Sequence, residues 1–125
     1  MTYENDELSQ QVIGLAIQVH RHLGPGLLES AHEECLCLEL KEASVPFRRQ
    51  VPLPIIYESI KLDCGYRLDV VVKDQLILEL NTVERLLPIH NVQLLTYMKL
   101  SGIRTGSLLN FSSAVLKDGL RRLIL

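Results

Sequence analysis

The chain has 125 residues, of which 47% are hydrophobic and 22% are charged, a composition that suits one soluble globular domain. Its formal net charge of −2 at pH 7 excludes a positive electrostatic field over the whole surface. Binding to nucleic acid or a membrane would therefore need a local basic patch. The apolar runs are far shorter than the roughly 20 residues of a membrane span, and the polar start MTYENDELSQQ does not resemble a signal peptide. We therefore expect residues 1–125 to form one cytoplasmic domain without a membrane partner.

Two helices are predicted at the start of the chain. From Asp6 to Leu23 apolar residues recur at helical spacing, with Asp6 as the N-cap, and the Gly-Pro-Gly sequence at 24–26 ends this helix. A second helix is predicted from about Leu27 to Ala43. Its buried face is expected to comprise Leu28, Ala31, Cys35 and Leu38. Glu29 lies in its first turn, where a carboxylate suits the helix dipole; alternatively, Glu29 points back into a site at the helix start.

The remainder of the chain predicts a mixed sheet. Residues 47–60 (FRRQVPLPIIYESI) contain two prolines and lack helical periodicity, which indicates one or two extended segments at a sheet edge. Residues 61–81 complete an antiparallel meander, and Pro88 begins a third helix to about Ser101. Its buried stripe is expected to comprise Ile89, Val92, Leu95 and Met98.

A further strand over residues 104–111 follows that helix, so it is expected to run parallel to the last strand of the meander. A final helix is predicted over residues 114–125. The order helix, helix, antiparallel meander, helix, strand, helix predicts an α/β fold (an α+β mixed sheet) with helices packed on the sheet.

The stretch Tyr66–Asn81 (YRLDVVVKDQLILELN) places two carboxylates inside an apolar hairpin. If residues 73–75 form the turn, Asp69 lies directly opposite Glu79, with Cβ atoms about 4.5–5.5 Å apart. Like charges at this separation are destabilising, so the pair predicts a bound cation, and a hard one by its ligand chemistry. A two-residue turn would pair Asp69 with Leu78 instead, so the prediction depends on register.

The cysteines and histidines do not form a recognisable zinc motif. Cys35 and Cys37 are two residues apart on a predicted helix and therefore point to different sides. Together with Cys64 they are interpreted as unpaired, buried small hydrophobes. His20 and His22 likewise do not share a helical face, so the histidines are assigned surface or packing roles.

Several segments resemble a known family, and together they cover nearly the whole chain. Asp69 followed by residues 79–81 (ELN) on a hairpin resembles the PD-(D/E)XK nuclease signature with one substitution. Residues 26–32 (GLLESAH) resemble the motif of the small bacterial GxxExxY family within that superfamily, with histidine in place of tyrosine. Gln93 and Tyr97, which share a helical face, resemble the Q-x-x-x-Y motif of RecB-like nucleases.

The resemblance implies a restriction-endonuclease-like core that hydrolyses phosphodiester bonds in DNA with a divalent metal. Asp69 and Glu79 would bind Mg²⁺ or Mn²⁺, Glu29 would contribute from the second helix, and the metal would activate water. Gln93 and Tyr97 would orient the substrate or the catalytic groups. DNA is the implied partner, and so small a core would be helped by a homodimer or a protein partner to hold a substrate.

Asn81 occupies the position of the signature lysine. Its neutral, shorter side chain supplies neither a cation nor a useful proton acceptor, although its carbonyl oxygen can bind a metal or a water. Three interpretations are open. The chain is a degenerate member, or a cation comes from Arg67 or Lys99, or Asn81 is an introduced change.

Three classes of function therefore compete. The first is a metal-dependent nuclease, and the second is a non-catalytic nucleic-acid-binding or protein-assembly module that keeps the nuclease fold. The sparse basic residues and the acidic net charge fit the second class better than autonomous DNA binding. In the third, Asp69 and Glu79 are ordinary strand residues of an unrelated domain.

Overall fold

The computed structural model describes residues 6–125, so the first five residues of the N-terminal segment considered above lie outside the described residues. Within this range the chain forms a five-stranded mixed sheet with helices on both faces, and a separate two-stranded hairpin. None of the helices in residues 6–125 is long and apolar enough to cross a membrane. The mixed α/β class predicted from the sequence is confirmed.

The elements follow one another closely along the chain. In order they are α1 (Glu7–Leu23), α2 (Glu29–Glu42), β1 (Phe47–Pro52), β2 (Ile55–Tyr57), β3 (Ile60–Leu62), β4 (Arg67–Val72), β5 (Leu76–Asn81), α3 (Pro88–Ser101), β6 (Thr105–Asn110) and β7 (Leu120–Ile124), with a 3-10 turn at Leu116–Gly119 before β7. The main sheet has the order β1-β4-β5-β6-β7, and β2 pairs only with β3. β5 and β6 are parallel and joined through α3, as predicted, and the other neighbours are antiparallel.

The predicted first helix is confirmed at both ends. The Asp6 side chain accepts a hydrogen bond from the backbone N–H of Ser9 at 3.0 Å, which is the N-cap arrangement. Gly24 ends the helix with φ +76°, a conformation that favours glycine, and its N–H donates to the carbonyl of His20.

The predicted buried faces of α2 and α3 are correct only in part: Met98 is buried, and Cys35 and Leu95 are half-buried against the cores. Leu28 and Leu38 are 76% and 55% exposed, and the face that α2 buries is His32, Glu33, Leu36, Cys37 and Leu40. The polar residues of that face have partners inside the fold: both ring nitrogens of His32 lie within 3.2 Å of backbone carbonyls, and Glu33 binds Arg49. In α3 the buried residues are Leu94, Tyr97 and Met98, whereas Ile89 and Val92 are exposed.

The predicted burial of the cysteines is correct only in part. Cys37 is buried, Cys35 is half-buried and Cys64 is exposed, and all three are unpaired. Burial raises the pKa of the Cys37 thiol to about 11, so this thiol stays protonated at neutral pH.

The predicted C-terminal helix over residues 114–125 is wrong. Its second half is β7, which pairs antiparallel with β6 and occupies the open edge of that strand. The turn before β7 approaches β6 so closely that a Cβ on Gly119 would lie 2.8 Å from the carbonyl oxygen of Asn110. Because strand and helix readings of a short apolar run are hard to separate by periodicity, the leucine spacing was compatible with either.

The sheet separates two apolar cores. On one face α1 and α2 pack on the even-numbered residues of β5, and on the other face α3 packs on Ile77. The even-numbered residues are Leu76, Leu78 and Leu80. This is the alternation of a regular strand, and it directs Glu79 and Asn81 toward the face that carries α3.

Candidate active site

The β4–β5 hairpin has the predicted register. Residues 73–75 form its turn, with Lys73 and Asp74 in the left-handed region, and Val72 lies opposite Leu76. The paired register continues through Val70 and Leu78 and then stops. Beyond that pair the two strands are held together differently.

Two carboxylates bridge the strands beyond the last paired residues. One carboxylate oxygen of Asp69 (Oδ2) accepts a hydrogen bond from the backbone N–H of Leu80 at 2.9 Å. In return, Oε1 of Glu79 accepts from the backbone N–H of Asp69 at 3.4 Å. Side-chain oxygens thus take the place of backbone acceptors, and the structure brings Asp69 and Glu79 together.

The two carboxylates resist simultaneous ionisation. Burial, and then the charge of Asp69, raise the pKa of Glu79 to about 8, although the hydrogen bond from the Asp69 backbone opposes this shift. Burial also raises the pKa of Asp69, against the effect of the Leu80 N–H. A cation between the two carboxylates would favour their ionised forms and so oppose both shifts.

The N-terminal turns of α2 add two further carboxylates, Glu29 and Glu33. Burial, and then the charges of Asp69 and Glu33, raise the pKa of Glu29, so the Glu29 carboxylate lies within the electrostatic influence of Asp69. Glu33 is only 6% exposed, and Arg49 donates to its Oε2 at 2.7 Å through Nη2 and at 3.1 Å through Nε. Sequence reasoning missed Glu33, although its position four residues after Glu29 places both on one helical face.

Helix α3 contributes the predicted glutamine and tyrosine. Nε2 of Gln93 donates to the hydroxyl oxygen of Tyr97 at 2.8 Å, and Tyr97 is 7% exposed. Burial raises the pKa of Tyr97, the Gln93 hydrogen bond lowers it, and the charge of Glu79 raises it further. The ring of Tyr66 lies 6.0 Å from that of Tyr97, centroid to centroid. Gln93 and Tyr97 therefore border the carboxylates.

Asn81 lines a small void together with Glu79, His90 and Gln93. The void measures about 10 Å³, close to the room needed for one water. Nδ1 of His90 accepts a hydrogen bond from the backbone N–H of Leu87 at 2.7 Å, so a neutral His90 carries its proton on Nε2. Sequence reasoning assigned His90 no role, although its spacing of three from Gln93 places both on one helical face.

Within residues 6–125, neither side chain suggested as a substitute for the signature lysine forms a hydrogen bond or ion pair with Asp69, Glu79 or Asn81. A guanidinium nitrogen of Arg67 (Nη1) is 3.8 Å from the Asp63 carboxylate and donates to the carbonyl of Tyr66 at 3.0 Å. Lys99 is exposed on α3.

The donor set fits a hard divalent cation that completes its shell from outside the protein. Among residues 6–125, no three histidine, cysteine, aspartate or glutamate side chains converge to hold a metal on their own. Mg²⁺, however, is usually bound through one or two carboxylates, with waters and substrate phosphates as the other ligands. Asp69 and Glu79 match that pattern, since they are two neighbouring carboxylate donors on adjacent strands.

Comparison with known proteins identifies the family. Residues 6–123 match the family model of the PD-(D/E)XK nuclease superfamily, a range that contains every candidate site residue named above. No match was found among the curated proteins, and none among the solved structures. The superfamily typically uses divalent metals, and the mixed sheet with its helices is consistent with a restriction-endonuclease-like fold. The chain therefore belongs to the PD-(D/E)XK nuclease superfamily.

Proposed function

We propose that this chain is a metal-dependent phosphodiesterase that acts on DNA and that its hydrolysis is weakened by Asn81. The observation that carries the proposal is the meeting of Asp69 and Glu79 where the paired register of β4 and β5 ends. We also infer that the chain belongs to the GxxExxY branch of the superfamily, on the strength of the motif-like residues 26–32.

Asp69 and Glu79 would hold Mg²⁺ or Mn²⁺, and Glu29 would support the site from α2. When bound, the metal supplies an activated water and neutralises negative charge at the phosphodiester. The contribution of the chain is to keep two half-buried carboxylates close, so that a cation would bind both and displace the proton from Glu79. Their raised pKa values support this role.

Gln93, Tyr97 and Asn81 would orient the groups around that cation. The Gln93–Tyr97 hydrogen bond fixes the tyrosine hydroxyl beside the carboxylates. The amide of Asn81 lines the small void and can hold a water there, but it carries no charge to stabilise a developing anion. Loss of one such electrostatic group typically lowers the rate by about 10²–10³-fold in other enzymes, so we expect slow hydrolysis.

The test compares the chain with Asn81→Lys, Asn81→Gln and Asp69→Ala on single- and double-stranded DNA with Mn²⁺ or Mg²⁺. We expect slow cleavage by the unmodified chain, faster cleavage by Asn81→Lys, and none by Asp69→Ala. Asn81→Gln is the matched control, because it lengthens the side chain without adding a charge. The nuclease proposal is wrong if the chain and Asn81→Lys both bind Mn²⁺ but neither cleaves.

A second candidate function is a non-catalytic assembly module that keeps the nuclease fold. It is favoured by the β2–β3 hairpin, in which Ile56, Tyr57 and Ile60 are all at least 60% exposed. An isolated two-stranded hairpin is marginal in water, and exposed apolar patches commonly mark partner sites. Sedimentation of the chain against Ile60→Asp tests for self-association, with Leu38→Asp on α2 as the control. A DNA affinity that falls steeply with salt would argue against this candidate.

A further inference from the structure

Gln50 has an unusual backbone conformation for its place in the fold. Among residues 6–125, six non-glycine residues have positive φ, and five of them lie in turns. Gln50 is the exception, because it lies within β1 with φ +49°. The left-handed region is unfavourable for a side chain with a Cβ, and such residues persist where the surrounding structure or a function requires them.

At Gln50, β1 and β4 both change which of their faces points toward which core. Residues four apart in a regular strand share a face, yet Phe47 packs on the core of α1 and α2 and Val51 on the core of α3. Leu68 and Val70 on β4 are divided between the same two cores. Paired residues flank this point on both sides, and Gln50 and Asp69 stand opposite each other within it.

The side chain of Gln50 connects α2 with β4. Its Nε2 donates to Oε1 of Glu33 at 2.9 Å. The Gln50 side chain also acts on the Asp69 carboxylate opposite it, lowering the pKa of that group against the effect of burial. Arg49, the neighbour of Gln50 on β1, donates two hydrogen bonds to the other oxygen of Glu33. Two consecutive residues of β1 therefore hold this carboxylate.

We propose that Gln50 is a positioning residue for the candidate metal centre: its amide bridges Glu33 and Asp69 and thereby fixes the Asp69 carboxylate. The inference rests on the proposed function, in which Asp69 is a metal ligand. Glycine would adopt the positive φ at position 50 more readily than glutamine does. The presence of glutamine there is therefore explained by the contacts of its side chain. A neutral amide also leaves the negative charge of Asp69 available to a cation, whereas lysine or arginine would neutralise it.

The first experiment separates the side chain of Gln50 from its backbone conformation. Gln50→Gly relieves the positive φ and removes the bridge, and Lys73→Gly relieves a positive φ in the hairpin turn, away from the bridge. We expect Mn²⁺ to bind Gln50→Gly about 10-fold to 100-fold more weakly than the unmodified chain by calorimetry. Binding to Lys73→Gly should be unchanged, and the Tm of both variants should stay close to that of the unmodified chain.

A second variant and a metal-free measurement keep the test decisive. Gln50→Asn tolerates the left-handed region and keeps an amide, but it is one methylene too short to span both carboxylates, so its Mn²⁺ affinity should also fall. The backbone N–H of Leu80 donates to Asp69, so its NMR resonance reports where that carboxylate lies. Without metal, this resonance should move in Gln50→Gly and remain in place in Lys73→Gly.

The outcomes distinguish this inference from the proposed function. If the unmodified chain binds no Mn²⁺, the proposed function fails, and the Leu80 resonance alone decides whether Gln50 positions Asp69. If the unmodified chain binds Mn²⁺ and Gln50→Gly binds it equally well, the inference about Gln50 is overturned and the proposed function stands. A lower Tm of Gln50→Gly with unchanged Mn²⁺ affinity would assign Gln50 a purely structural role and also overturn the inference.

Discussion

The two halves of the β4–β5 hairpin are built from the same two strands but are held together in different ways. In the half next to the turn, Val70–Val72 pair in register with Leu76–Leu78, and all six residues are buried. In the half away from the turn the paired register ends, and the carboxylates of Asp69 and Glu79 bind backbone N–H groups of the opposite strand. One half is an apolar core, and the other is a partly buried polar site.

The difference shows how a small domain can hold unfavourable charge in place. Each fully buried valine, leucine or isoleucine contributes about 1.5–3 kcal/mol, so the turn half stabilises the hairpin strongly. The other half is destabilised by carboxylates whose pKa values are raised by burial. The apolar half thus fixes the register on which the geometry of the polar half depends.

Truncation of a core side chain in the apolar half should have the largest effect. Leu78 is fully buried, so Leu78→Ala should lower the free energy of unfolding by about 2–5 kcal/mol, measured by urea denaturation. Ile56→Ala is the control, because Ile56 is 61% exposed and its truncation should change little. A small effect of Leu78→Ala would contradict the claim that the apolar half stabilises the hairpin.

Neutralising a carboxylate in the polar half should raise the free energy of unfolding instead of lowering it. The pKa of Glu79 is raised from 4.5 to about 8 in the folded chain, so its contribution to stability is full below pH 4.5 and is lost as the pH rises through 8. Without metal at pH 8, Glu79→Gln should therefore be more stable than the unmodified chain by about 2–4 kcal/mol. Urea denaturation from pH 4 to pH 9 with a chelator measures this, and the advantage should vanish near pH 4. Equal stability at pH 8 would contradict the account.

Metal affinity should follow the same ionisation. A cation binds the ionised form of Glu79. As the pH rises toward 8, Mn²⁺ affinity should therefore increase about tenfold per pH unit, and above pH 8 it should level off. Calorimetry in buffers of different ionisation enthalpy should show release of close to one proton at pH 7. A pH-independent affinity would mean that Glu79 is not a ligand.

The smallest effect is expected at the border of the polar half. Tyr97→Phe removes the hydroxyl that accepts from Gln93 and should lower the free energy of unfolding by about 1 kcal/mol. Mn²⁺ affinity should be unchanged, because Tyr97 is assigned to orientation and not to ligation. A large loss of Mn²⁺ affinity would place Tyr97 among the ligands and sharpen the boundary of the site.

The sequence predicted the apolar half of the hairpin and the meeting of Asp69 with Glu79, because both depend on local register. It did not reveal that Glu33 is buried, since Arg49, the ion-pair partner of Glu33, lies far along the chain on β1. The left-handed conformation of Gln50 could not be predicted either, because this residue of β1 interacts with α2 and β4, which are distant along the chain. The last strand was missed because its leucine spacing suits a helix equally well.

The central claim is that Asp69 and Glu79 form a site for a divalent cation. The most direct measurement is a calorimetric titration with Mn²⁺ at pH 8 of the unmodified chain and of Asp69→Asn, which keeps the shape of the side chain without its charge. We predict saturable binding to the unmodified chain and loss of that binding in Asp69→Asn. Absence of binding to the unmodified chain, or equal binding to both, would contradict the claim.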